Sequence, residues 1–221
     1  NLSERYRQPV FVLGDEVVGH MTEKVVTPKR EKLKIQPRIL PKALRGDYLP
    51  FDSSTSMPAP MAIAGQGYHA HVTGLTHDER GYPVITADVQ ERNVRHIVDK
   101  IRKNADRIIE VDTIGIEDAE VVVVAYGCTS RVARQAVENL RSRNLKVGLV
   151  KLITIWPFPS GLIRSLADRV KAFVVPEINY AQIAYEVERT AGGRAEVLLM
   201  ALMGGSIHTP AEIEDGVGEF L

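Results

Sequence analysis

Hydrophobic and polar positions fall into three regimes along the chain. At the start, Leu2 to Arg7 is short, polar and compatible with a helix. Pro9-Val10-Phe11-Val12-Leu13-Gly14 is apolar throughout, the pattern of a strand buried on both faces rather than an alternating one. Asp15 stands where it can cap a helix carrying Val17, Val18 and Met21. One helix end, one strand and one helix cannot bury their faces alone. Residues 1–22 therefore read as the tail of an α/β domain, and the chain as one that begins mid-domain.

Residues 24–87 lose this pattern. Prolines at 28, 37, 41, 50, 58 and 60 forbid long helices, and basic residues such as Lys24, Lys29, Arg30 and Lys34 dominate the first half. The prediction is an extended, basic strap that wraps a neighbour, with one strand at His69-Ala70-His71-Val72-Thr73-Gly74. Its Ile, Leu and Met content argues against plain disorder.

From Asp88 the spacing turns helical, with Val89, Val94, Ile97, Val98, Ile101 and Ile108 recurring to about Ile109. A regular alternation follows: strand 120–126, helix 129–144, strand 146–152, helix 160–170, strand 172–175, helix 180–190 and strand 195–200. The last helix starts near Pro210, where Thr209-Pro210-Ala211-Glu212 combines a cap, a first-turn proline and a capping-box glutamate. Such alternation predicts an α/β fold, a parallel sheet with helices on both faces. The expected organisation is residues 1–22 as the domain tail, 23–110 as the strap ending in a helix, and 111–221 as the parallel-sheet domain.

Composition narrows the chemistry. Twenty-eight basic residues balance 28 acidic ones in 221, which excludes a broad electrostatic grip on nucleic acid or an anionic membrane. Within that balance the strap is basic, while the C-terminal region carrying Glu186, Glu188, Glu196, Glu212 and Glu214 is acidic. One cysteine cannot form an internal disulfide, a thiolate zinc site or an iron–sulfur cluster, and suits a reducing compartment. The longest dense apolar run, Val121 to Tyr126, is too short to span a bilayer, and the N-terminus carries no signal pattern. A soluble, cytoplasmic protein is expected.

Several constellations could carry chemistry. Gly65-Gln66-Gly67 lacks the third glycine of a dinucleotide loop and reads as a turn. Cys128 lies between a strand and a helix, whose N-terminus would lower its thiol pKa, and Arg134 follows at the Cys-x5-Arg spacing of cysteine phosphatases. The intervening residues contain no glycine to bare amides for a phosphate, which favours a small buried thiol. His69, His71, His77, Asp78 and Glu79 form the densest metal-capable cluster. Arg80 beside them would repel a cation, so the residues read better as hydrogen-bonding groups of an ordered loop. Glu16 and His20, four apart on a helix, supply only two ligands and read as a solvated or interface pair. The loops after the strands matter because open parallel sheets bind ligands at those ends. They hold Trp156 and Phe158 between prolines, then Glu177, Asn179 and Gln182, and finally Gly204 to His208. No paired carboxylates or base–nucleophile pair occur there, so this edge reads as one that packs against another domain or subunit.

Two segments, Asp15-Glu16-Val17-Val18-Gly19-His20-Met21 and the run from His71 through Gly74 and His77-Asp78-Glu79-Arg80-Gly81-Tyr82 to Pro83, resemble the α subunit of 2-oxoacid:ferredoxin oxidoreductases, especially the 2-oxoglutarate type. Similarity continues through Tyr126-Gly127, Trp156-Pro157-Phe158-Pro159, Pro176-Glu177-Ile178-Asn179-Tyr180-Ala181-Gln182 and Thr209-Pro210-Ala211-Glu212-Ile213. The last α/β unit is similar to the transketolase C-terminal domain. The resemblance implies an enzyme that decarboxylates a 2-oxoacid on thiamine diphosphate, passes electrons through iron–sulfur clusters to ferredoxin, and hands the acyl group to coenzyme A. It implies that the α subunit supplies the pyrimidine-binding domain, to which residues 1–22 would be the tail. Diphosphate and Mg²⁺ would be bound by another subunit, and the clusters would lie in other subunits. The family's Tyr-Pro-Ile-Thr-Pro motif, catalytic Glu, Gly-Asp-Gly motif and cysteine cluster have no counterpart here, so no catalytic residue is carried over.

The resulting expectation is a structural, subunit-assembling portion, inactive alone. His77, Asp78, Arg80, Trp156, Phe158, Glu177, Asn179 and Gln182 are its candidate interface and loop residues. Two alternatives stay open: a free-standing ligand-binding or regulatory module using the strand-end edge near Glu177, Asn179 and Gln182, and a cysteine phosphatase centred on Cys128.

Overall fold

The computed structural model describes residues 1–42, 45–54 and 56–221. Four helices come first: α1 (Leu2–Tyr6), α2 (Glu16–His20), α3 (Ala87–Arg102) and α4 (Ala105–Ile108). Then follow β1 (Val111–Ile114), β2 (Val121–Tyr126), α5 (Thr129–Ser142), β3 (Val147–Leu152), α6 (Ser160–Ala167), β4 (Ala172–Glu177), α7 (Ala184–Ala191), β5 (Glu196–Ala201) and α8 (Pro210–Gly218). Two compact units result, one from residues 1–13 and 23–108, the other from 14–22 and 109–221.

The second unit is the predicted α/β sheet. Its strand order is β1-β3-β2-β4-β5, with β2, β3, β4 and β5 parallel. Alternate residues of each strand point to opposite faces. Val121, Val123 and Ala125 meet Ala133, Ala136 and Val137 of α5 together with Ile213 and Val217 of α8. Val122 and Val124 meet Ile163 and Leu166 of α6, Val187 of α7 and Phe173. Residues 121–125 are wholly buried, as a strand covered on both sides requires. Each such valine contributes roughly 1.5–3 kcal/mol by leaving water. The capping box at α8 forms as expected: the Thr209 hydroxyl accepts from Glu212 N, and Glu212 accepts from Thr209 N at 2.7 Å.

One strand has no counterpart in the sequence reading. β1 runs antiparallel to β3, pairing Val111 with Leu152 through Ile114 with Leu149. It is four residues long and half polar, too short for periodicity to register.

The first unit is irregular. Residues 23–86 hold only two single 3-10 turns, Arg30–Lys32 and Arg45–Asp47, among the described residues. Side chains stand in for a backbone ladder. Arg38 donates to both oxygens of Glu4 at 2.9 and 2.6 Å. Asn1 bonds the Lys34 carbonyl at 2.6 Å and the Gln36 amide at 2.8 Å, and Tyr48 Oη donates to the Pro60 carbonyl at 3.0 Å. A small cluster of Leu2, Tyr6, Ile101 and Ile108 supplies its apolar contact.

Two strand expectations fail here. Residues 9–14 are extended but unpaired, and Val12 is 95% exposed. An apolar run becomes a buried strand only where neighbouring strands accept its amides, and among the described residues none does. Residues 69–74 form no strand either: the His71 ring is held by the Gly81 carbonyl and its own carbonyl lies close against Gly81, and the nearest pairing is an isolated bridge between His77 and Pro83. The helix expected to Ile109 breaks after Arg102, where the Asn104 amide bonds back to the Lys100 carbonyl at 2.8 Å and the Asn104 carbonyl receives Arg107 N at 2.9 Å.

Replacing Phe173 with Ala is expected to lower the unfolding free energy of the sheet unit by about 3–5 kcal/mol. Val12→Ala in the same chain should change stability by no more than about 0.5 kcal/mol. Urea unfolding followed by circular dichroism checks both, and equal losses would show that residues 9–14 are buried after all.

Candidate functional site: the strand-end edge and the 76–84 loop

In the sheet unit, β2 leads into α5 on one face and β4 into α7 on the other, so the topological switch point lies between the carboxyl ends of these adjacent strands. In this class of sheet that crevice is where ligands bind. Here the chain's own polar groups fill it. Glu177, the last residue of β4, is 1% exposed. It accepts from Tyr126 Oη at 2.9 Å, from Ile183 N at 3.0 and 3.1 Å, and from Ala184 N at 2.8 Å. The carboxylate thus closes the N-terminus of α7 and ties it to β2. Asn179 donates to Tyr126 Oη at 2.7 Å and accepts from Gln182 N at 3.1 Å. Burial, then the Glu177 bond, pushes the Tyr126 phenol well above its usual range, so it is a neutral donor rather than an acid.

The neighbouring loop is closed by Asp15. Cys128 N donates to Asp15 Oδ2 at 2.6 Å, so the carboxylate sits at the first turn of α5 instead of capping its own short helix α2. Gly127 lies at φ +55°, and a Cβ there would stand 2.3 Å from that oxygen, so only glycine admits the approach. The expected lowering of the Cys128 thiol is reversed: burial, then the Asp15 charge, pushes it up. Arg134 faces away from any phosphate loop, donating to Asp112 at 2.6 Å. The cysteine phosphatase alternative ends there: its nucleophile is a buried, protonated thiol beside a carboxylate.

Glu177, Asn179 and Gln182 are therefore brought together, but as a structural network. The Glu177 carboxylate is taken up by Tyr126 and two backbone amides. Phe158 packs partly buried against the α6–α7 side of the core, while Trp156 stands 70% exposed. Tyr126 and Asp15 were missed as site residues because their partners lie 51 and 113 positions away.

In the first unit, His77, Asp78 and Arg80 share one turn. Asp78 Oδ1 accepts from the amides of Arg80 (2.9 Å) and Tyr82 (3.1 Å), and Oδ2 accepts Arg80 Nε and Nη2 at 2.9 and 2.7 Å. The Arg80 bond holds the Asp78 carboxyl below its ordinary range. Gly81, at φ +86°, lets the His71 carbonyl approach to where a Cβ would be. His71 Nδ1 meets the Gly81 carbonyl at 2.7 Å and its ring stacks on Tyr82, 4.7 Å between centroids. His77 packs on Phe51 at 4.1 Å. The histidines serve as hydrogen-bonding and stacking groups of an ordered loop. Among the described residues no three His, Cys, Asp or Glu side chains gather as a metal set.

With this geometry in view, comparison with known proteins is informative. A family model described as pyruvate flavodoxin/ferredoxin oxidoreductase, thiamine diP-bdg, matches residues 1–96, and one for pyruvate:ferredoxin oxidoreductase core domain II matches residues 119–213. The 2-oxoglutarate synthase subunit KorA of Methanocaldococcus jannaschii is 45% identical over 217 residues, covering 98% of this chain and 57% of that protein. Its namesake from Methanothermobacter marburgensis is 42% identical over 214 residues, 96% of this chain and 56% of that one. This chain belongs to the 2-oxoacid:ferredoxin oxidoreductase family. A solved 2-oxoglutarate:ferredoxin oxidoreductase from Magnetococcus marinus, with 2-oxoglutarate, coenzyme A and succinyl-CoA bound, superposes with a TM-score of 0.86 at 26% identity, over 99% of this chain and 38% of that one. The chain thus spans a little over half the length of the curated family members it matches. No helix among the described residues is long and apolar enough to cross a membrane.

Two outcomes test the edge. Glu177→Gln should destabilise the sheet unit by about 1.5–3 kcal/mol, since one face of the amide turns donors toward donors, whereas Gln182→Ala should cost less than about 0.5 kcal/mol. In pH-dependent labelling with a thiol reagent, Cys128 should react only well above the pH of an ordinary cysteine. Asp15→Asn removes the raising charge, so its labelling profile should move to lower pH; an unchanged profile would show that the carboxylate does not govern the thiol.

Proposed function

We propose that this chain is part of the α subunit of a thiamine-diphosphate-dependent 2-oxoacid:ferredoxin oxidoreductase, which oxidatively decarboxylates a 2-oxoacid such as 2-oxoglutarate to its acyl-CoA. The observation that carries this reading is 45% identity across 98% of the chain to a 2-oxoglutarate synthase subunit, with the two family models matching in chain order. Residues 1–22 would be the tail of the pyrimidine-binding domain, 23–110 a strap over neighbouring chain, and 111–221 an assembly domain.

The residues described here do not fit the iron–sulfur clusters or Mg²⁺ as ligands. One buried, protonated thiol cannot hold an iron–sulfur cluster, and no grouped set of carboxylates or histidines is present for Mg²⁺. We assign the clusters to other chains, and Mg²⁺ and the greater part of the thiamine diphosphate site to a neighbouring subunit, with residues 1–96, which match a model described as thiamine diP-bdg, on this chain's side of it. Ferredoxin and coenzyme A would be met through the assembled, cytoplasmic complex.

The chain's own part is then to present surfaces. Trp156 and Tyr180 stand exposed at the strand ends, and Val25, Val26 and Ile35 line the basic strap in the open. Large apolar groups left in water favour burial against a partner. We assign them, with His77, Asp78 and Arg80 of the ordered turn, to subunit contacts.

Co-expression with the thiamine diphosphate-binding subunit should give a stable complex that reduces ferredoxin when 2-oxoglutarate and coenzyme A are supplied, while the chain alone shows no turnover. A chain that stays separate beside that subunit sinks the subunit reading, and turnover by the chain alone sinks the assembly role. Equal rates with pyruvate would reassign the oxoacid.

A further inference from the structure

The first unit contains a cavity of about 450 Å³ that none of the foregoing uses. Its floor is one face of α3, where Asn93, His96 and Lys100 follow at three- and four-residue steps, and its far wall is Arg7 and Phe51. We propose that this cavity binds a compact oxyanion, the phosphate ester or carboxylate end of a small metabolite, with Lys100, Arg7 and His96 as its donors.

Lys100 is a buried cation with little to hold it. Lys100 is only 4% exposed, yet its sole recorded hydrogen bond is a long one, 3.4 Å from Nζ to the Arg7 carbonyl. Arg7 at the same wall gives Nη1 to the Pro50 and Ala59 carbonyls at 2.5 and 3.4 Å and lies 4.9 Å from the Phe51 ring centroid. Among the described residues neither cation is paired with a carboxylate. Three carboxylates border the cavity, and two of them face other arginines. Asp78 holds Arg80, Glu79 faces Arg92 at 3.5 Å, and Asp52 accepts the Ser54 amide at 2.9 Å. A lysine withdrawn from water with only one long hydrogen bond is unfavourable, and an anion entering from solvent beside it and the half-buried Arg7 relieves it.

The surroundings agree. Burial, then Arg7, pulls the Lys100 ammonium down to about 8, and burial, then Lys100 and Arg7, lowers the imidazolium of His96. At neutral pH the lysine is thus charged, while the histidine is available as a neutral N–H donor. Arg7 keeps further guanidinium N–H groups besides Nη1, in the fork that suits carboxylate and phosphate. The volume lies within the range of small-molecule sites. Phe51 and Ile97 add apolar wall for a carbon skeleton.

Isothermal titration of the full chain with inorganic phosphate and, separately, with succinate at low ionic strength tests the proposal without any turnover assay. Saturable binding is expected for at least one. Lys100→Met should weaken it ten-fold or more and His96→Gln by a smaller factor, while Lys103→Gln, on the exposed side of the same helix turn, should leave it within two-fold. Phosphate binding alone identifies a phosphate ester, and succinate binding alone a carboxylate. Should Lys100→Met fail to fold by circular dichroism, Lys100→Arg, which keeps the charge, must retain binding within a few-fold while His96→Gln loses part of it. Saturation by neither probe, or equal affinity in Lys100→Met, overturns the proposal.

Discussion

β2 has no solvent on either face, and the rest of the sheet unit answers to that. A strand of four valines and an alanine can shed water on both sides only if helices cover both sides, so α5 and α8 must lie on one face and α6 and α7 on the other. Covering both faces forces the chain to cross the sheet between β3 and β4, and that crossing creates the switch point beside β2. The burial that stabilises the domain thus also determines where its open crevice lies.

What fills that crevice decides the character of the domain. Glu177 and Asp15 place carboxylates at the N-terminal turns of α7 and α5, the positions an anionic ligand would take in a binding member of the class. A buried carboxylate is tolerated only when fully hydrogen-bonded, and Glu177 meets that condition with Tyr126 and two backbone amides. At this edge the Glu177 carboxylate is taken up by the chain's own donors, while Trp156 and Tyr180 stay outward. These properties suit a face that meets another chain.

The first unit shows the opposite balance. Its backbone is held by side-chain bonds from Asn1, Arg38, Tyr48 and Asp78 rather than by a ladder, and much of its apolar surface is in water. Within it, Lys100 is buried with one long hydrogen bond, to the Arg7 carbonyl. Exposed apolar groups and a buried lysine with so little to hold it are both unfavourable in an isolated chain. Both would be relieved by something bound, a partner at the strap and an anion in the cavity.

The sequence by itself determined the parallel sheet, its helices and the capping box at Thr209, because these depend on patterns repeated within a few residues: unbroken apolar strands, helical spacing, a cap and its glutamate. The ordered turn around Asp78 was legible for the same local reason. Tertiary structure alone decided the rest. The strand-like run at residues 9–14 stayed unpaired because pairing needs a neighbour that local pattern cannot supply, and the half-polar β1 formed because β3 offered an edge. The helix-terminus argument for an acidic Cys128 was sound in isolation, but it failed once Asp15, 113 residues earlier, occupied that terminus. Nothing local marks Lys100, because Arg7, whose carbonyl it meets, lies 93 residues away. Charge is visible in a sequence, but its effect depends on distance and burial, and those exist only after folding.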